Sequence, residues 1–261
     1  MPKHYVTQPH EKINIKLSEN GFGARKPVTV IEVFRETVKK HGSRPALCYK
    51  KPIGGVLPND FTSLTWDEYY KNCCMFAKSL IHFKVDTFKI VNILGFNSVE
   101  WFIANNGAIL GGCIAAGIYT TNISEACLYI SEHSKAEIVV VEGNKQLAKY
   151  ADIGRRLSYL KVIVMWGEPI DEKIASKCSV PVYDWDSFLK CGESISTNEL
   201  EPRMRIIEPG HCSTLIYTSG TTGPPKAVMI SHDNVTWTTA NICEGLPPSL
   251  SLSLSLSDAL S

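Results

Sequence analysis

No Cys-x-x-Cys pair occurs among the nine cysteines of this 261-residue chain, which stand at positions 48, 73, 74, 113, 127, 178, 191, 212 and 243. Zinc ribbons and dithiol redox motifs need that spacing, so neither organises this protein. An odd number of thiols with no apolar leader ahead of them points to a reducing compartment, where most pack as small hydrophobes. Charge of one sign is also missing. Lys+Arg total 27 and Asp+Glu 26, a formal net charge of +1, which leaves nothing for electrostatic capture of nucleic acid. The basic pairs Lys39-Lys40, Lys50-Lys51 and Arg155-Arg156 read as solvated faces. No Gly-x-Ser-x-Gly elbow is present, which disfavours an α/β hydrolase. The common phosphate loop, Gly, four residues, then Gly-Lys-Ser/Thr, is absent too. At Lys226, Pro225 replaces its second glycine and Ala227 its Ser/Thr. Trp101 to Ser124 carries no formal charge, but Asn105, Asn106 and four glycines interrupt it. A membrane span needs about 20 predominantly apolar residues, so this stretch reads as a buried helix followed by a buried strand.

What is present is a globular composition, 44% hydrophobic and 20% charged, on a length that suits one large or two ordinary domains. Residues 1–26 are polar and without period, an extension. Thr29 with Glu32 forms a capping box for a helix through Val30, Ile31, Val33, Phe34 and Val38, of which Val30, Phe34 and Val38 share a face, ended by His41-Gly42. Pro45 to Tyr49 fits a first strand. Thr65 and Glu68 form a second capping box, for a helix to about Phe83 with Tyr69, Cys73, Phe76, Ala77 and Leu80 on one face. Strands follow at Lys89–Leu94, Ile114–Tyr119, Ile138–Val141, Val162–Met165 and Pro181–Tyr183. Helices are expected to start near Ser98, to be capped by Ser124, and to run from Lys145 to Leu157. This alternation predicts an α/β fold, a mostly parallel sheet flanked by helices on both faces, with ligands at the strand ends.

The densest chemistry lies between Thr214 and His232. Leu215, Ile216 and Tyr217 suit a buried strand, and Ala227 to Ile230 a second one. Between them Thr218, Ser219, Thr221 and Thr222 offer hydroxyl donors around Gly220, and Gly223 follows. The glycines admit positive φ and close approach to a ligand. Successive backbone N–H groups in such a turn make a concave anion site. Pro224 and Pro225 stiffen the exit, and Lys226 adds one mobile positive charge suited to a polyphosphate. Because the segment joins two strands, a helix dipole is not its main attraction. The bland reading is a solvated hairpin turn. Ser231, His232 and Asn234 read first as a cap and helix start.

Tyr217-Thr-Ser-Gly-Thr-Thr-Gly-Pro-Pro-Lys226 resembles the phosphate-binding signature of the adenylate-forming, AMP-binding superfamily, with Ala227 in place of the usual glycine after the lysine. Ile93-Leu-Gly-Phe-Asn-Ser98, Glu100-Trp-Phe102, Gly117-Ile-Tyr119, Thr121-Asn122, Glu125-Ala-Cys127 and Ile230-Ser-His-Asp-Asn234 extend the resemblance to the bubblegum-type long-chain acyl-CoA synthetases, over about Lys26 to Thr239. The resemblance implies ATP-dependent ligation of a long-chain fatty acid to coenzyme A through an acyl-adenylate, with Mg2+ accompanying ATP and no metal ligand from the protein identified. It implies that Thr218, Ser219, Gly220, Thr221, Thr222, Gly223, Pro224, Pro225 and Lys226 bind ATP, with Lys226 on the phosphates. It also implies a cytoplasmic protein without a transmembrane span, in peripheral contact with membranes such as the endoplasmic reticulum.

The resemblance stops after Thr239. The family's adenine-binding segment, its Tyr-Gly-x-Thr/Ser-Glu-type motif, the ribose aspartate, the hinge and the mobile C-terminal domain with its catalytic lysine have no counterpart in these residues. The expectation is an incomplete N-terminal domain of the adenylate-forming fold: extension 1–26, partial AMP-binding domain 27–242, divergent tail 243–261, C-terminal domain absent. Such a form is truncated and catalytically incomplete; a non-catalytic regulatory or interaction isoform, or a gene-model artefact, is the alternative. From Ser249 to Ser257 serine and leucine alternate strictly. A CT dinucleotide repeat read in frame encodes that alternation, whereas a protein-level origin would be an amphipathic strand of period two. Long-read sequencing of the transcript is expected to show the CT repeat across these codons; a non-repetitive coding exon there overturns the expectation.

Overall fold

The computed structural model describes residues 5–51, 56–218 and 223–245. Of the expected loop, Ser219, Gly220, Thr221 and Thr222 lie outside the described residues, as does the Ser/Leu alternation. The chain forms two compact units, one of residues 1–71, 207–212 and 230–261, the other of residues 72–206 and 213–229.

The first unit begins with α1 (Val30–His41). The Thr29 hydroxyl accepts the Glu32 N–H at 3.0 Å and the Glu32 carboxylate accepts the Thr29 N–H at 2.6 Å. This is the capping box the sequence predicts, worth about 1 kcal/mol. The buried face differs from expectation: it is Ile31, Phe34, Thr37 and His41, while Val30 and Val38 are half-buried. Phe34, common to both faces, packs against Trp66 at 5.9 Å and Tyr70 at 5.2 Å between centroids. Pro45–Tyr49 is a strand, β1, but it pairs antiparallel with β2 (Thr62–Thr65) in a separate two-stranded sheet. Thr65 and Glu68 form the second capping box, the Thr65 N–H donating to the Glu68 carboxylate at 2.8 Å, and α2 (Trp66–His82) follows.

The polar stretch ahead of α1 is tied to the later part of the same unit. The Ile13 N–H donates to the Gly210 carbonyl at 3.1 Å, and Lys12 pairs with Glu208 at 2.6 Å. At the far end α9 (His232–Gly245) starts on a reciprocal cap: the Asn234 N–H donates to Ser231 Oγ and the Ser231 N–H to Asn234 Oδ1, both at 3.1 Å. The bland reading of Ser231 and Asn234 is therefore the observed one.

In the second unit the wholly buried β3 (Ile90–Leu94) leads to α3 (Val99–Leu110), where Ser98 Oγ accepts the Trp101 N–H at 3.1 Å. Next come β4 (Ile114–Ile118) and α4 (Ser124–Ser134). Ser124 is not a cap: Ile123 holds that position without a side-chain bond, and Ser124 is the first helical residue. Then follow β5 (Ala136–Glu142), α5 (Gly143–Ile153), β6 (Val162–Trp166), α6 (Glu172–Ala175) and β7 (Val182–Asp184). α7 (Trp185–Cys191) and α8 (Thr197–Arg205) precede β8 (Cys212–Thr218) and β9 (Lys226–Ser231). Phe188 of α7 sits 5.1 Å from Phe76 and stacks on Phe83 at 5.6 Å, and its carbonyl accepts from Ser79 Oγ at 2.6 Å. The face of α2 read from the sequence thus finds its cover in a helix that was not foreseen.

The sheet runs β7-β6-β5-β3-β4-β8-β9, and every neighbouring pair from β7 to β8 is parallel. Ile138, Val139, Val140 and Val141 in β5 have no exposed surface, as a strand covered on both faces requires. Trp101–Ser124 divides into α3 and β4, and no described helix is long and apolar enough to cross a membrane. Five of the nine cysteines are buried, and burial pushes the Cys113 thiol up to about 12, which makes it a packing residue rather than a nucleophile.

His232, buried in the first unit, accepts the Val30 N–H on Nδ1 at 3.2 Å. Burial, then the nearby His211, lowers its pKa to about 4 from an ordinary 6.5. The unfolded chain takes up this proton first as pH falls, so the stability held above pH 6.5 drains away towards pH 4, by roughly 3 kcal/mol for this group. Urea unfolding between pH 7 and pH 4 is expected to show that loss, with a shallower slope in His232→Asn, which does not titrate there.

Candidate functional site

Strand order decides where a ligand can enter. From β4 the chain turns back across β3 to reach β5, whereas from β8 it goes outward to β9. Connections that diverge leave a crevice at the carboxyl ends of the two strands. The observed pairing agrees: β4 and β8 are matched only at Ala115↔Thr214 and Ala116↔Leu215, short of both carboxyl ends. In that gap lies a cleft of about 740 Å³. β3 contributes the turn Gly95-Phe96-Asn97, β4 contributes Gly117 to Thr120, β8 contributes Thr214 to Tyr217, and α3 contributes Trp101 and Asn105. No charged side chain belongs to this described lining; four aromatic rings and the amides of Asn97 and Asn105 do. Gly117 faces the cleft, and a side-chain carbon there would meet only the Trp101 ring, at 3.5 Å.

The connections from β3 and β5 also diverge, but that crevice is filled. The Phe96 N–H donates to the Glu142 carboxylate at 2.7 Å, and the Asn144 N–H at the start of α5 donates to the Glu168 carboxylate at 2.7 Å. A side-chain carbon on Gly95 would stand 2.3 Å from the Trp166 ring, so the chain is glycine there because nothing else fits. The protein's own carboxylates occupy the donors an anion would seek. The first unit holds a smaller cavity, about 270 Å³, between Pro27, Glu32, Glu36 and Trp237.

The hydroxyl- and glycine-rich segment leaves directly from the cleft wall. Tyr217 lines the cleft, and Thr218, exposed, ends β8. Gly223 returns with φ +83°, a conformation that glycine adopts at no steric cost. Pro224 is exposed, Pro225 half-buried, and Lys226 opens β9 with its side chain exposed. The segment therefore joins two neighbouring strands of one sheet, as the sequence implies.

α4 meets both ends of this segment. The Tyr217 hydroxyl donates to the Ile130 carbonyl at 3.3 Å and lies 2.9 Å from His133 Nδ1. Burial pushes the phenol up to about 12, against a contact with Ser134 that favours ionisation and with Tyr129 nearby, so it stays a neutral hydroxyl. At the other end the Tyr129 hydroxyl donates to the Pro225 carbonyl at 2.9 Å. Sequence reasoning did not single out Tyr129 or His133 as site residues, because helix residues outside a motif carry no local sign of what they touch. Phe96, Trp101 and Tyr119 sat in family-like stretches but were not named as site residues; for Phe96 and Tyr119, their place just after strands β3 and β4 is the signal that could have found them.

The pattern of known AMP-binding enzymes, the family described as "AMP-binding enzyme", matches residues 34–257. The chain is 43% identical over 235 residues to the long-chain-fatty-acid–CoA ligase ACSBG2 of Gallus gallus, covering 90% of this chain and 29% of that one. It is 40% identical to the Homo sapiens ligase of the same name, covering 90% and 34%. The chain thus spans about a third of the length of these curated relatives. Among solved structures, the A-PCP didomain of carboxylic acid reductase from Segniliparus rugosus, in complex with AMP, superposes with a TM-score of 0.70 at 18% identity, over 90% of this chain and 39% of that one. At that identity the likeness is one of fold.

Gly223 has no heavy atom within 4 Å of where a side-chain carbon would go. Gly223→Ala is therefore expected to cost about 1 kcal/mol through its backbone conformation alone, read as a lowered urea midpoint with an unchanged slope.

Proposed function

We propose a function on the premise that the chain belongs to the AMP-binding enzyme family: it is part of a long-chain-fatty-acid–CoA ligase and carries the phosphate end of its ATP site. The observation that carries this reading is that the donor-rich connection between β8 and β9 leaves, at Tyr217 and Thr218, from the open crevice between β4 and β8. The relatives' names supply the acid and the thiol, a long-chain fatty acid and coenzyme A.

In the proposed reaction a carboxylate oxygen of the fatty acid attacks the α-phosphorus of ATP. The bond from that phosphorus to the bridging oxygen breaks, and pyrophosphate leaves with the electron pair. The sulfur of coenzyme A then attacks the acyl carbon and AMP departs, leaving the thioester. A carboxylate is a poor acyl donor, and its adenylate is a good one. The protein's task in the first step is to hold the β- and γ-phosphates so that the leaving oxygen lies in line, and to stabilise the charge that gathers on it. The hydroxyls of Thr218, Ser219, Thr221 and Thr222, together with backbone N–H groups, do the first. Lys226, exposed at the head of β9, does the second. Mg2+ enters on the ATP phosphates; among the described residues no group of three or more His, Cys, Asp or Glu is arranged to hold a metal. The neutral, aromatic cleft next to Tyr217 suits an uncharged flat or hydrocarbon group, since a charged one would find no counter-charge in the described lining.

Phe96, Tyr119 and Ile123 are 68%, 71% and 70% exposed on the connections that leave β3 and β4. They favour peripheral membrane contact, consistent with a lipid substrate. These residues form only part of an active site, and the 261-residue chain by itself is inactive as a ligase. The chain is expected to bind MgATP or pyrophosphate in isothermal titration, and Lys226→Ala to weaken that binding by about 10- to 100-fold, the factor for one charge-assisted contact. Acyl-CoA production by the pure chain would refute its proposed inactivity, and equal binding by Lys226→Ala would refute the role of the lysine.

A further inference from the structure

From the contacts of α4 we infer that Tyr129 is a positioning residue for Lys226, acting together with the His133–Tyr217 pair to clamp both ends of the β8–β9 connection to one helix. The inference rests on the phosphate-binding reading of that connection and adds residues outside the motif.

Tyr129 and His133 are one turn apart on α4, and their rings stack at 5.6 Å with 21° between planes. The Tyr217 ring meets His133 edge-on at 5.8 Å. The hydroxyl of Tyr217 has one proton. Its donation to the Ile130 carbonyl leaves its oxygen to accept from His133 Nδ1, 2.9 Å away. The start of the connection is thereby held through Tyr217, whose side chain is 8% exposed. Its end is held through the backbone, the Tyr129 hydroxyl donating to the Pro225 carbonyl at 2.9 Å.

That second bond sets a direction. A peptide unit is planar, with its C=O and N–H pointing opposite ways. Drawing the Pro225 carbonyl towards α4 turns the Lys226 N–H away from α4 and fixes the backbone from which the Lys226 side chain departs. Neither Pro224 nor Pro225 has an N–H, so neither donates a backbone hydrogen bond that could orient this stretch. The Tyr129 hydroxyl takes over that orienting task.

The bond from Lys226 to Ala227 is a trypsin site, so cleavage there reads the position of this backbone without any ligand. Tyr129→Phe keeps the stacked ring and removes the donor. Fragments of the full 261-residue chain, quantified by mass spectrometry, are expected to show cleavage after Lys226 accelerated about 3- to 10-fold, the factor one net hydrogen bond supplies. Cleavage at Lys135 and Lys145 should keep its wild-type rate. Tyr150→Phe, which removes a buried hydroxyl 3.0 Å from Ser131 on the same helix, is the control for loss of stability and should not select Lys226. Pyrophosphate should protect the Lys226 site in wild type, and protect it less in Tyr129→Phe. Cleavage after Lys226 at the wild-type rate in Tyr129→Phe, or faster by no more than at the other lysines, overturns the inference. Selective cleavage in the variant, with no protection of wild type by pyrophosphate, keeps the clamp and overturns the phosphate reading instead.

Discussion

The parting of β4 from β8 is the constraint on which the candidate site depends. Two parallel strands that stay paired to their ends present a closed edge, and backbone groups there are satisfied by one another. Here the residues matched across the pair are Ala115 with Thr214 and Ala116 with Leu215, and Gly117 and Ile118 run on unmatched with Ile216 and Tyr217. The cleft, its aromatic lining and the departure of the hydroxyl- and glycine-rich segment all follow from that gap. The gap follows in turn from connectivity, since β4 feeds a strand on one side and β8 a strand on the other.

The equivalent crevice between β3 and β5 shows what closes such an opening. Glu142 and Glu168 accept backbone N–H groups that would otherwise face an incoming anion, and the Trp166 ring lies against Gly95. Two places with the same topology thus differ in the residues at their rims. One rim carries carboxylates that take up its backbone N–H groups and an indole packed on Gly95; the other carries aromatic rings, glycine, threonine and amide side chains with no charged group, and is open. Topology offers places for a ligand, and side chains choose between them.

Much of the architecture was legible in the chain. Both capping boxes, at Thr29 and Thr65, stand where the sequence puts them, and the apolar runs at Ile90, Ile138 and Val162 are strands because β-branched side chains without polar alternation suit a doubly covered sheet. The misreadings share a cause. The buried face of α1 is Ile31, Phe34, Thr37 and His41 rather than Val30, Phe34 and Val38, and Ser124 is a helical residue rather than its cap. In each case the local pattern was compatible with more than one partner, and a contact distant in sequence selected among them. α7 escaped notice because only seven residues form it, too few to show a period, although Asp184 caps it by accepting the Ser187 N–H at 2.9 Å.

The sequence by itself determined the chemistry of the β8–β9 connection: glycine where φ is positive at Gly223, prolines before the lysine, and a single cation at Lys226. These are properties of residue type at fixed spacing, and they need no knowledge of what lies nearby. Only the tertiary structure decided that Tyr129 and His133, some 90 residues earlier, reach Pro225 and Tyr217 at either end of that connection. It alone placed Trp101 and Gly117 across one cleft. The reason is physical. A side chain's own period and hydrogen-bonding capacity are local, whereas the partner it finds is set by strand order, which only the folded sheet establishes.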